Sequence, residues 1–214
     1  MKEEKIKFLN DIVKPWEVLN RQLSLTFSVN TSISNFTNRA SLLAVSIKHF
    51  PESTHDLKPK DLITQSESYK IFSDLADSLK HGKLFDYRRQ CSLYAGSLYE
   101  RNKDGKVRFL RNTVNIKHNS NGELDFMEIS RDAALFVASK VDFKSDWNPT
   151  ILNNNGEFSN KIHLHASSKN QIAWQGMTLQ FVQLQDDGRY KRVDLNSKIE
   201  FKLTVDNNLN TKDL

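Results

Sequence analysis

Six histidines, one cysteine and a run of arginines are the side chains of this 214-residue chain best suited to chemistry. Asp77 and His81 stand four residues apart, which puts a carboxylate and an imidazole on one helical face. Such a pair can hold a metal or act as a general base steered by its carboxylate. Its structural counterpart is a helix-terminal histidine favoured by the helix dipole. His163 and His165 flank one leucine, so on a strand they share a face at metal-ligand spacing. No acid or cysteine at matching spacing completes that set, and no cofactor is expected. Arg111 and His118 bring a guanidinium and an imidazole into one segment. Cys91 has no partner nearby in sequence, and the seven glycines form neither a phosphate loop nor a dinucleotide fingerprint.

The net charge of +5 is unevenly distributed. Residues 80 to 117 carry ten basic and three acidic side chains, a net +7, which leaves the rest of the chain at −2. Tyr87 and Tyr99 lie among these cations, as do Phe85, Tyr94 and Phe109. A hairpin that offers Lys83, Arg88, Arg89, Arg108, Arg111 and Lys117 beside aromatic rings can track phosphates and stack bases. The alternative is a solvated sheet face whose rings sit in the core. Alternation places Arg111, Thr113, Asn115 and Lys117 on one strand face, and Asn112, Val114, Ile116 and His118 on the other.

The elements that must hold these groups can be read from the pattern. Residues 2 to 81 are helical in period, with a second helix expected from Pro15 and a third ending near Phe50-Pro51. Thr64 and Glu67 form a capping box for a helix that closes on Lys80, His81 and Gly82. Residues 91 to 100 and 106 to 118 form a hairpin around Asp104-Gly105. Asp125 caps a helix to about residue 141. Strands are expected at 162–166, 177–185, 189–195 and 199–205, with a second hairpin turn at Asp186-Asp187-Gly188. The expected class is α+β. It comprises an N-terminal helical bundle with a β-hairpin and a further helix over 1–142, and a C-terminal antiparallel β-sheet over 143–205. The sheet would pack on the bundle or on a partner, ahead of a flexible tail at 206–214.

Arg111-Asn112, five intervening residues and His118 together resemble the Arg-Asn…His signature of HEPN ribonucleases. The resemblance implies a dimeric helical bundle in which Arg111 and His118 approach one phosphodiester. The residues between them, Thr113 to Lys117, favour a strand. There a separation of seven puts the two side chains on opposite faces. Three further stretches, Tyr69 to His81, Asn112 to His118 and Gly122 to Glu128, resemble in their order a set of uncharacterised bacterial proteins of similar size. That resemblance covers residues 66 to 138. It implies a helix ending in Lys80-His81 and a strand leading into an acid-capped helix, and it implies no activity.

No apolar run approaches the roughly 18 residues a membrane helix needs. The start of the chain lacks the apolar core of a signal peptide. A single cysteine fits a reducing, cytoplasmic compartment. The expected function is a non-enzymatic bacterial or phage binding protein, in the setting of host–phage conflict. Its partner would be an anionic ligand (nucleotide or nucleic acid) or a protein, including a second copy of the chain. Two alternatives are carried. One is a ribonuclease or phosphodiesterase using Asp77, His81, His118 and Arg111. The other is a structural or immunity-type subunit that pairs through an exposed strand edge.

Overall fold

A computed structural model describes residues 2–25, 33–55, 57–141, 147–167, 178–194 and 199–206; of residues 2, 33–34, 54–55, 163–167 and 201–206 it describes the backbone alone. The chain opens with α1 (Lys2–Phe8), a π-helical turn at Leu9–Val13 and α2 (Lys14–Ser24). These run on as one rod, so no break occurs at Pro15. The Lys14 N–H reaches back five residues to Leu9 O. This wider turn precedes Pro15, which has no N–H to give and sits in the first turn of α2. Next comes α3 (Ile33–His55), which passes through Pro51 where an end was expected. One missing amide bond near a helix C-terminus does not stop it.

The short α4 (Pro59–Leu62) leads to α5 (Glu67–His81). Its N-cap is Ser66, which accepts from the Tyr69 N–H at 3.2 Å, and not Thr64. Thr64 is spent on the preceding turn, where its hydroxyl donates to Asp61 O at 3.2 Å. The helix ends at Gly82 with φ of 72°, a left-handed residue that glycine adopts without strain. A short 3₁₀ turn, Tyr87–Arg89, precedes β1 (Cys91–Arg101).

The hairpin forms as expected, with β1 antiparallel to β2 (Val107–His118). The register shifts at Leu98/Tyr99, a bulge that bends the pair. A further short strand, β3 (Gly122–Asp125), pairs with β2 before α6 (Phe126–Lys140) begins. Asp125 caps α6, accepting from the N–H groups of Met127 at 2.8 Å and Glu128 at 3.2 Å.

The α+β class holds, while the C-terminal strands pair differently from the expected antiparallel sheet. β5 (Thr178–Leu184) adds to the free edge of β1 in parallel, and β6 (Tyr190–Arg192) continues it as an antiparallel hairpin. One five-stranded mixed sheet results, in the order β3-β2-β1-β5-β6. β4 (Lys161–Ser167) and β7 (Glu200–Asp206) form a separate two-stranded sheet, parallel where an antiparallel partner was expected. Of the expected tail at 206–214, Asp206 closes β7 and the rest lies outside the described residues.

The helices cover one sheet face. Trp16, Leu19, Phe36, Leu43, Tyr69, Phe72, Phe126 and Val137 form one buried core with Cys91, Val114 and Ile116. Burying an aliphatic or aromatic side chain of this size stabilises by about 1.5–3 kcal/mol. Polar links also pin the rod, among them Trp16 Nε1 donating to Ser130 Oγ at 2.8 Å, Asn112 Nδ2 to Leu25 O at 3.0 Å and Trp147 Nε1 to Glu17 Oε1 at 2.8 Å. Among the described residues, no helix is long and apolar enough to cross a membrane.

Candidate functional site

The buried junction between α5 and the hairpin gathers a cysteine, a histidine and two aspartates. Cys91 and His118 are cross-strand partners, and His118 Nε2 lies 3.4 Å from Asp74 Oδ2. This has the composition of a Cys–His–Asp nucleophilic triad. The hydrogen bonding denies it that role. His118 Nδ1 accepts from the backbone N–H groups of Ser120 at 3.1 Å and Asn121 at 3.3 Å. The ring is therefore held as the Nε2–H tautomer with both nitrogens occupied. The Cys91 thiol is buried, and burial, then the Asp74 carboxylate, pushes its pKa up to about 12. A thiol so protonated is inert at neutral pH.

Asp77 faces away from the chemistry expected of it. Its carboxylate accepts from Lys48 Nζ of α3 and from Arg89 Nη2 at 2.9 Å, while Arg89 Nε donates to Asp74 Oδ1 at 2.6 Å. Burial pushes the Asp77 carboxyl up, but Lys48 and then Arg89 outweigh that and hold it below its ordinary value. His81 is exposed one turn on, with no hydrogen bond to Asp77. Arg111 points to the other sheet face, where Nη2 donates to Asp125 Oδ2 at 2.8 Å. Arg111 and His118 thus stand on opposite faces of β2 and do not converge within one chain. His163 and His165 occupy β4, and their side chains lie outside the described residues. Among the described residues, no group of three His, Cys, Asp or Glu side chains is placed to hold a metal.

The positive segment divides into neutralised and free parts. Arg89 is tied to Asp74 and Asp77, and Arg108 binds Glu100 with Nε at 2.8 Å while covering the Phe158 ring at 4.7 Å. Tyr99 is a core residue, its ring stacked on Phe181 and set edge-on to Phe109. The strand face of Arg111, Thr113 and Asn115 is polar as expected. It is buried, however, and shared with acids from β3 and α6, so it presents no positive surface.

Lys106 stays free in the β1–β2 turn, and the other free cations gather around the loop between α5 and β1. Phe85 is fully exposed and Tyr87 is 74 % exposed. Lys80, His81, Lys83, Arg88 and the adjacent Lys117 are exposed as well. Arg88 is paired with Asp86, its Nη2 at 2.9 Å, while Lys80, Lys83 and Lys117 have no ion pair among the described residues. The loop is clamped from both sides. Gln90 Nε2 donates to Gly82 O at 2.9 Å, and Gln90 Oε1 accepts from the Leu84 N–H at 2.8 Å. From the β2–β3 turn, Asn119 Nδ2 donates to Tyr87 O at 2.8 Å and the Ser120 hydroxyl to Arg88 O at 3.0 Å. Two rings and several cations are thereby displayed on backbone whose conformation is already paid in full.

Sequence reasoning missed the Cys91–His118–Asp74 junction. One signal for half of it existed: Cys91 and His118 lie equally far from Asp104-Gly105, although the turn itself pairs Arg101 with Val107 and the shift at Leu98/Tyr99 is what brings Cys91 opposite His118. Comparison with family models, curated proteins and solved structures finds no match to this chain.

Proposed function

We propose that this is a non-enzymatic binding protein whose anionic partner, single-stranded nucleic acid, docks on the loop between α5 and β1. The observation that carries this reading is the clamped display of Phe85 and Tyr87 among Lys80, Lys83, Arg88 and Lys117. Exposed rings stack on bases of any sequence, at about 1–3 kcal/mol per base, and cations follow the backbone. The occupied histidine and the protonated thiol support binding over cleavage.

Fluorescence anisotropy of labelled twelve-nucleotide dT and U oligomers tests it. Three unpaired lysines at phosphates predict a log–log salt slope of about −2. F85A/Y87A should weaken binding at least tenfold, and K83E/K117E should flatten the slope. Native protein with no salt-dependent binding, or ring variants that bind as the native chain does, would refute the reading.

A protein partner is the second reading. It is favoured by an apolar groove of about 550 Å³ between α3 and α5, lined by Leu42, Val45 and Leu79. Sedimentation of the native chain and of L42E tests self-association there. A monomer at every concentration removes that version.

A further inference from the structure

The buried ring of His118 serves two parts of the molecule at once. Its Nε2 faces Asp74 of α5. Its Nδ1 accepts from the backbone N–H groups of Ser120 and Asn121 and so shapes the β2–β3 turn. That turn grips the loop between α5 and β1 at three points. The Asn119 N–H donates to Gln90 O at 3.1 Å, and the Asn119 and Ser120 side chains hold Tyr87 O and Arg88 O. Asn121 Nδ2 also reaches Glu67 Oε1 at 3.1 Å, at the start of α5. One ring therefore organises the turn, and the turn organises the backbone that displays Phe85 and Tyr87.

Imidazole is the side chain that ordinarily changes charge between pH 5 and 8. With a proton already on Nε2, a second can enter only at Nδ1. There it converts an acceptor into a donor that faces two N–H groups, and both hydrogen bonds are lost. The charged groups around the ring do not restore them. Asp74 favours an imidazolium, but it touches Nε2, which carries a proton in both forms, and its Oδ1 is held by Arg89 Nε. Cys91, opposite on β1, is a neutral thiol. Among the described residues no other ionisable side chain bonds to the ring.

We infer that His118 is an acid-sensitive latch on the nucleic-acid loop: a proton on Nδ1 frees the β2–β3 turn, releases Tyr87 and Arg88, and weakens the hold on single-stranded nucleic acid. Neutral His118 belongs to the clamped form and charged His118 to the released one, so release grows as pH falls. The effect on binding rests on the nucleic-acid reading; the latch is a property of the free protein. His81 acts in the opposite sense, because it is exposed beside the loop and its charge attracts phosphate.

Amide hydrogen exchange of the full chain without oligomer, followed by NMR from pH 7 to pH 5, tests the latch. A free imidazole titrates near pH 6.5, so a proton taken up only on release predicts a fall of about 25-fold in the protection of the Ser120 and Asn121 amides. The Val137 amide, in the core of α6, should keep its protection, which separates release from global unfolding. H118N offers an amide oxygen where Nδ1 stood and cannot take the proton, so its turn should be protected equally at both pH values. If H118N fails to fold, the native profile decides alone. With the labelled dT oligomer, the affinity of H118N relative to the native chain should rise at least threefold from pH 7 to pH 5, His81 being common to both. Protection that stays flat in the native chain, or falls equally in H118N, overturns the latch. A turn that releases while the affinity ratio stays constant overturns its link to binding. An absence of oligomer binding at every pH sinks the nucleic-acid reading and leaves the exchange result to decide the latch.

Discussion

Asp77 binds Lys48 from one helix and Arg89 from the α5–β1 loop, so a single carboxylate ties α3, α5 and the start of the sheet together. Lys48 is almost fully buried, and removing its partner leaves a buried charge uncompensated. D77N should therefore cost about 3 kcal/mol near neutral pH, read from urea unfolding. The carboxyl is depressed in the folded chain, so its contribution is complete above the unfolded value, about pH 3.9, and is lost as pH falls through the folded value. Native and D77N stabilities should converge in acid. A difference that stays constant down to pH 2 would show that Asp77 acts through packing alone. This bridge explains why counting charges along the chain misplaced the positive patch. The acids that neutralise Arg89 belong to α5, outside the basic hairpin, and only the fold brings them to it. Asp125 was legible because capping is local chemistry between a side chain and amides two and three residues on.

At the level of strands and helices, β5 leaves no room for a side chain at Gly96 of β1. G96A would drive a methyl group into the Thr178 carbonyl, which belongs to backbone and cannot swing aside. We expect a loss of about 1–3 kcal/mol in urea unfolding. An unchanged midpoint would mean that β5 shifts at no cost. The hairpin around Asp104-Gly105 could be read from its turn. The partner of β5 could not, because alternation over 177–185 specifies a strand and says nothing of which edge it joins or in which direction. The same limit applies to β4 and β7, whose parallel pairing no local turn announces. Two capping signals compete ahead of α5. Ser66 prevails because Gln65 N–H still donates to Leu62 O, closing the earlier turn across Thr64.

Taken whole, the molecule is a helical layer on one side of a mixed sheet whose last two strands arrive from the C-terminal third. β5 covers the β1 edge and lays Phe181 on Tyr99. A chain ending at residue 177 should expose that edge and that ring. We expect a lower denaturant midpoint and concentration-dependent aggregation on size-exclusion chromatography. A monodisperse truncated chain with native stability would show that the helical layer and hairpin suffice alone. The polar strand face was readable from the alternation of Arg111, Thr113 and Asn115. Its enclosure was not, since Ile151, α6 and β6 come to it from distant parts of the chain.

The parallel pairing of Gly96 with Thr178 also bears on timing. Synthesis at roughly 5–20 residues per second separates those two partners by roughly 4–16 s. The hairpin and helices, whose contacts are more local, can form within that interval, as low sequence separation favours speed. For those seconds β1 waits with one edge unpaired. A slowed ribosome lengthens the wait, so the yield of folded protein should depend on how quickly the final third of the message is read.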